Sequence, residues 1–176
     1  MPEVFYNDRD VVCVGERWIR DLKNAAAASP RRRARLRLHH ENSDAVQEMI
    51  IALCRDVLFA PHRHERKTES FHMIEGELYV LVFEDDGSVR HAIHMGPPGS
   101  GRQYCYRLCE PAWHAILPKT DFVVFHETTA GPFQQDTASQ FAPWAPKALA
   151  PLRAFLESSL EQGLRSDRRL TEERPA

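Results

Sequence analysis

The segment PHRHERKTESFHMIEG, residues 61 to 76, sets two histidines two positions apart, a glutamate five beyond the second, and then a glycine. Residues two apart in an extended strand share a face, so His62 and His64 project into the same space. An offset of five reverses that parity. Glu69 is therefore expected from the neighbouring strand after the turn ERKT, brought across from the histidines. On that second strand Glu69, Phe71 and Met73 share a row and His72 points the other way. Gly76 permits the sharp turn into ELYVLVF. Two imidazoles and a carboxylate converging from paired strands make half a shell for a borderline divalent metal. For an isolated HxH, a solvated or satisfied histidine pair is the plainer alternative.

Such a shell needs a scaffold. The chain has 176 residues, 27% charged and 43% hydrophobic, enough for one domain with a real core. A formal net charge of −2 argues against nucleic acid or anionic lipid as the main partner. No apolar run approaches the ~18 residues of a membrane span, and MPEVFYNDRDVVCV carries charges where a signal peptide needs its apolar core. Cys13, Cys54, Cys105 and Cys109 form no CxxC pair, so reduced thiols and a cytoplasmic location are expected. Cys105 and Cys109, in apolar stretches, are expected in the core rather than on a metal.

Residues 16–28, ERWIRDLKNAAAA, read as a helix ended by Ser29 and Pro30. From there to about residue 145 short apolar or alternating runs broken by turn residues predict an all-β region. Its strands are expected at 33–38, 46–53, 57–64, 70–74, 78–84, 89–95, 104–109, 113–118 and 121–127. EDDGS makes a hairpin turn with Gly87 available for positive φ, and GPPGSG, 96–101, a loop. Residues 146–164 place Leu152, Phe155, Leu156 and Leu160 on one face of a closing helix, and the charged tail beyond is expected to fray. The organisation is an N-terminal extension with a helix (1–30), a β-sandwich or barrel (31–146), and a C-terminal helix with its tail (147–176).

The pattern HxHx4Ex6G at residues 62–76 resembles the first motif of the cupins, which are double-stranded β-helix (jelly-roll) proteins. The resemblance implies a fourth ligand, a histidine on a later strand, and His114 in EPAWHAILP fits that role. The second cupin motif departs from the usual pattern: the glycine before the histidine and the asparagine after it are missing, and Pro111 stands three before His114. A closer resemblance runs over roughly residues 20–146. The blocks SPRRRARLRLHHENSDAVQEMIIAL, PHRHERKTESFHMIEG, FEDDGSV and VVFHETTAGPFQQDTASQFAPWAP are similar in order to the WbuC-type cupin metalloproteins of bacteria. Genes of that family are often associated with surface-polysaccharide synthesis. The resemblance implies one metal held by His62, His64, Glu69 and His114. Three imidazoles and a carboxylate suit Fe, Mn, Ni, Co or Zn.

Other polar positions address the ligand. Arg33, Arg35, Arg37 and His39 alternate with Ala34, Leu36 and Leu38. That row is either a solvated face or a set of side chains at the barrel mouth holding an anionic group. Gln47 is polar on an apolar row, a core amide or a lumen contact. Arg35, Gln47 and Tyr79 are the expected substrate-binding residues, and Glu127 and His39 the candidate general bases. Three functions remain open. One is a metal-dependent enzyme acting on a small polar or anionic metabolite, sugar or sugar-nucleotide related, by isomerase, epimerase or lyase chemistry. The others are an Fe(II) dioxygenase and a metal-loaded binding module without turnover. A small-molecule ligand and a homodimer are expected, the latter through EVFYNDRDVVCV adding as a strand to a neighbour, with no nucleic acid and no membrane as partners.

Overall fold

Ser29 is extended at φ −79° and ψ 135°, as contact with the ring of Pro30 requires, and there the first helix, α1 (Glu16–Ala28), stops. The computed structural model that gives this geometry describes residues 2–64, 67–109, 111–134 and 139–172, without the side chains of 167–172. Leu22, Ala25 and Ala26 of α1 are fully buried. They pack on Ala34 and Leu36 of β2 (Arg33–Arg37) and on Ile50 and Ala52 of β3 (Val46–Cys54).

The remaining strands are β1 (Val4–Phe5), β4 (His62–Arg63), β5 (Glu69–Glu75), β6 (Leu78–Phe83), β7 (Val89–Met95), β8 (Cys105–Leu108), β9 (Trp113–Pro118), β10 (Phe122–Ala130) and β11 (Gln140–Phe141). They form two sheets, one ordered β1-β2-β3-β10-β5-β8 and the other β11-β4-β9-β6-β7. From β3 onward the chain passes back and forth between the sheets, which is the double-stranded β-helix of the cupin jelly roll. A helix flanks it at each end of the chain, α2 running Leu149–Glu172.

Alternation assigns the faces. Leu78, Val80 and Val82 point inward with Leu53, Phe71, Met73, Ile116, Val123 and Phe125 to fill the space between the sheets. Tyr79, Leu81 and Phe83, the odd positions of the same strand, point outward against Leu152 and Leu156 of α2. Burying a side chain such as Phe125, 1% exposed, contributes about 1.5–3 kcal/mol. All six residues of β6 and of β9 are buried because each is covered on both faces.

The structure corrects several sequence expectations. The strand expected at 57–64 shrinks to His62–Arg63. Pro61 offers no N–H to a ladder, and residues 55–61 carry the chain from one sheet to the other. As a result β4 and β5 lie in opposite sheets, and Glu69 faces the histidines across the lumen rather than along one ladder. The N-terminal segment does not offer a free strand, since Val4 and Phe5 pair in parallel with Arg35 and Leu36 of the same chain. Cys105 and Cys109 are exposed, not core: Cys105 lies outward from Tyr106, which takes the lumen position, and Cys109 follows the end of β8. The helical backbone continues through the charged tail to Glu172. β10 extends three residues past its expected end, held on both sides by β3 and β5.

Gly76 joins β5 to β6 at φ +77°, and a Cβ there would run into the Phe122 carbonyl. Gly76→Ala is therefore expected to destabilise the fold by at least ~1–3 kcal/mol, read as a lowered urea midpoint with an unchanged slope.

Candidate metal centre

His62 and His114 are direct partners on neighbouring antiparallel strands. Each ring is fixed by its Nδ1, which lies 3.0 Å from a carbonyl two residues earlier, Ala60 for His62 and Ala112 for His114. A carbonyl only accepts, so Nδ1 carries the proton and the Nε2 lone pair is left for another partner. His64 joins them: one ring nitrogen from each of the three residues lies within 4.8 Å of the others. Their ring centroids are 4.5 to 5.4 Å apart.

Glu69 enters from the facing sheet. Its Oε2 lies 3.3 Å from His64 Nε2, and its Oε1 lies 3.5 Å from His114 Nε2. Oε1 is nevertheless buried without a hydrogen bond among the described residues. Burial opposes the charge on this carboxylate, but the His64 hydrogen bond and the surrounding histidines hold its pKa below the ordinary value. The same burial, reinforced by His114, pushes His62 down to about 4, so it is neutral at neutral pH. Two imidazoles tethered through Nδ1, a third beside them and a buried carboxylate oxygen lacking a hydrogen bond form a donor set that fits a transition metal.

These four side chains sit in a cavity of about 290 Å³. Leu53, Phe59, Phe71, Ile116 and Phe125 supply its apolar wall, and the arginine row reaches its rim. Arg31 pairs with Glu3 at 3.0 Å, whereas Arg33 and Arg35 have no ion-pair partner among the described residues. The Arg33 guanidinium stacks over Phe59 at 5.3 Å, and burial, with Arg35 and Arg31 nearby, pushes its pKa down. Glu127 lines the same cavity, opposite Phe71 on the ladder. Burial and, next, the charge of Glu69 push its pKa up to about 8.

Of the candidate substrate contacts, then, Arg35 lines the cavity and two others do not. Gln47 Nε2 donates to the carbonyls of Glu41 and Asp44 at 3.1 and 2.9 Å, so its amide ties down a loop and is the satisfied core group of the two readings. Tyr79 lies on the outer face of its sheet, stacked on His94 at 4.3 Å, because β6 alternates and its even positions take the lumen. His39 is also outside the cavity lining. Its Nδ1–H donates to the Glu48 carbonyl at 2.9 Å and its Nε2 accepts from Arg37 at 2.9 Å, which leaves no free nitrogen for proton transfer. Sequence reasoning missed Glu3 and Val4, which line the rim through a two-residue strand too short for any periodicity. It also missed the Tyr106 hydroxyl, buried without a partner, whose pKa burial and then Glu69 push far up.

Residues 14–95 match the model of a family described as a domain of unknown function, DUF6016. No curated protein matches the sequence. Among solved structures, protein SO0799 from Shewanella oneidensis is 10% identical with a TM-score of 0.53, over 73% of this chain and 84% of that one. The formate complex of oxalate decarboxylase from Lactobacillus farciminis is 14% identical with a TM-score of 0.44, over 57% of this chain and only 28% of that one. The cupin domain of Cnp3 from Schizosaccharomyces pombe is 14% identical with a TM-score of 0.44, over 56% and 60%. The likeness is one of fold, and the fold is the cupin jelly roll. Among the described residues no helix is long and apolar enough to cross a membrane.

The raised pKa of Glu127 has a measurable sign. Its neutral form is favoured in the folded protein, so the stability this gives is complete below the ordinary value of 4.5 and lost as pH rises through about 8. In chelator-treated protein, the urea midpoint of the wild type is expected to fall relative to that of Glu127→Gln between pH 5 and pH 9. Parallel profiles would show that Glu127 is ionised throughout.

Proposed function

We propose that this chain is a cupin metalloprotein of the WbuC type, a metal-dependent enzyme that holds one divalent transition metal through His62, His64, Glu69 and His114. The observation that carries this reading is the convergence of three histidine nitrogens on a buried carboxylate oxygen that has no hydrogen-bond donor. When bound, the metal supplies Lewis acidity toward a carbonyl or hydroxyl oxygen of the ligand. The chain's own residues do the rest. Arg33 and Arg35, cations without carboxylate partners at the rim, receive an anionic group. Phe71, Phe125 and Ile116 exclude water from the floor. Glu127, with a pKa near neutrality, accepts a proton from the ligand or returns one.

Size narrows the ligand. A cavity of about 290 Å³ lies at the lower limit of the roughly 300–1,000 Å³ usual for ligand pockets. It favours a sugar acid, a sugar phosphate or a small carboxylic acid over a sugar nucleotide. Proton transfer at a carbon beside a polarised carbonyl, in an isomerase, epimerase or lyase, uses every group named.

Elemental analysis of protein purified without added metal is expected to give one transition-metal ion per chain, lost in His114→Ala. Iron together with substrate-dependent oxygen uptake would replace this reading with a dioxygenase. Metal retained in His114→Ala would remove the proposed centre. Arg35→Ala is expected to leave metal content unchanged. It should weaken binding of small sugar phosphates and carboxylic acids by roughly 10- to 150-fold, equivalent to ~1.5–3 kcal/mol for a charge-assisted contact. Thermal-shift titration against a panel of such compounds checks it.

A further inference from the structure

The sheet that contributes Glu69 to the lumen carries a second group of metal-binding side chains on its opposite face. On β10 and β5, Phe125 and Phe71 point into the lumen, so His126 and His72 point outward. These two histidines are direct partners across the antiparallel ladder. Their rings are nearly parallel, 20° apart in plane and 6.3 Å apart in centroid. Glu48, on the other side of His126 in β3, brings its Oε1 to 3.4 Å from His126 Nε2. That nitrogen is buried and makes no hydrogen bond. Sequence analysis noticed His72 only as the residue facing away from the centre, and nothing in the proposed lumen chemistry uses this group.

We propose that His72, His126 and Glu48 form a second metal site for a borderline divalent ion such as zinc, on the outer face of the jelly roll. Directly opposed residues on antiparallel strands have Cβ atoms about 4.5–5.5 Å apart. Two imidazoles on such a pair therefore reach one ion at the usual Zn–N length of about 2.0–2.1 Å. As it stands the pair is stacked, not chelating, and the exposed His72 makes the adjustment by turning its ring toward His126 Nε2. His126 is already placed: its free nitrogen faces a carboxylate that supplies charge compensation and a third ligand atom. The solvent-facing side leaves the remaining positions to water. Cys105 is the partner of His72 on its other side. One strand spacing of about 4.8 Å further from His126, it is out of reach of an ion held between the two rings.

The site stands apart from the lumen centre, and one experiment separates them. Metal-free full-length protein is titrated with zinc by calorimetry, alongside His72→Ala, His126→Ala and Glu48→Gln. His72 and Glu48 are surface positions whose replacement leaves the core untouched. The wild type is expected to bind one more equivalent than His72→Ala, whatever the lumen takes up. His126→Ala should lose the same equivalent, and Glu48→Gln should weaken it at least about tenfold. Identical stoichiometry in the wild type and His72→Ala would overturn the proposal. So would an extra equivalent that survives in His126→Ala, since that would be a single surface histidine binding zinc by itself.

Discussion

A carboxylate that gives up its water needs opposite charge or hydrogen bonds in return, because an unpaired buried charge costs several kcal/mol. Glu69 is only 6% exposed, at the point where the two sheets face each other. Its surroundings are three imidazoles, one of them His62, itself buried enough to resist protonation. An array of neutral rings around an anion with an unsatisfied oxygen is incomplete without a cation. The local structure serves that arrangement. The carbonyls of Ala60 and Ala112 orient two of the rings, Pro61 ends the sheet pairing where the chain changes sheets, and Gly76 returns β5 into β6 beside the Phe122 carbonyl.

The charges in the lumen are also segregated. Glu69 and Glu127 occupy one region of the wall, and the second is driven toward its neutral form by burial and by the first. Arg33 and Arg35 occupy the rim, with the Phe59 ring beneath one of them. A ligand with an anionic end and an oxygen donor at the other would span from rim to centre, matching each region with its opposite.

How much of this was legible in the sequence depends on the scale of the signal. β7 and β9 were readable to the residue because alternation and flanking turns act over six or seven positions. The histidines were readable because spacing two fixes a shared face. The origin of Glu69 was only half readable: parity says that it leaves the histidine strand, but not whether the next strand is a ladder neighbour or lies in the facing sheet. Tyr79 and Gln47 show the same limit from another direction. Period two separates the faces of a strand without naming which is the lumen, and a buried amide reads alike whether it meets a ligand or, as Gln47 does, the carbonyls of its own loop. Arg35 was placed at the mouth by the same ambiguous alternation, and its exposed position agrees with the functional of its two readings.

The position of β10 has a consequence in time. It lies between β3 and β5 in the sheet, yet it comes late in the chain, so Val46 finds its partner at Ala130 and Glu69 at Thr129. Pairings of such long sequence separation form late and slowly. A chain emerging from the ribosome in order must hold β3 and β5 apart, edges unsatisfied, until β10 has been made. The lumen cannot close before then, and the residues that line it, from Glu3 to Glu127, cannot meet. Assembly of the pocket is thus one of the last events of folding, and a nascent chain stalled before residue 122 would present open sheet edges to chaperones rather than a formed cavity.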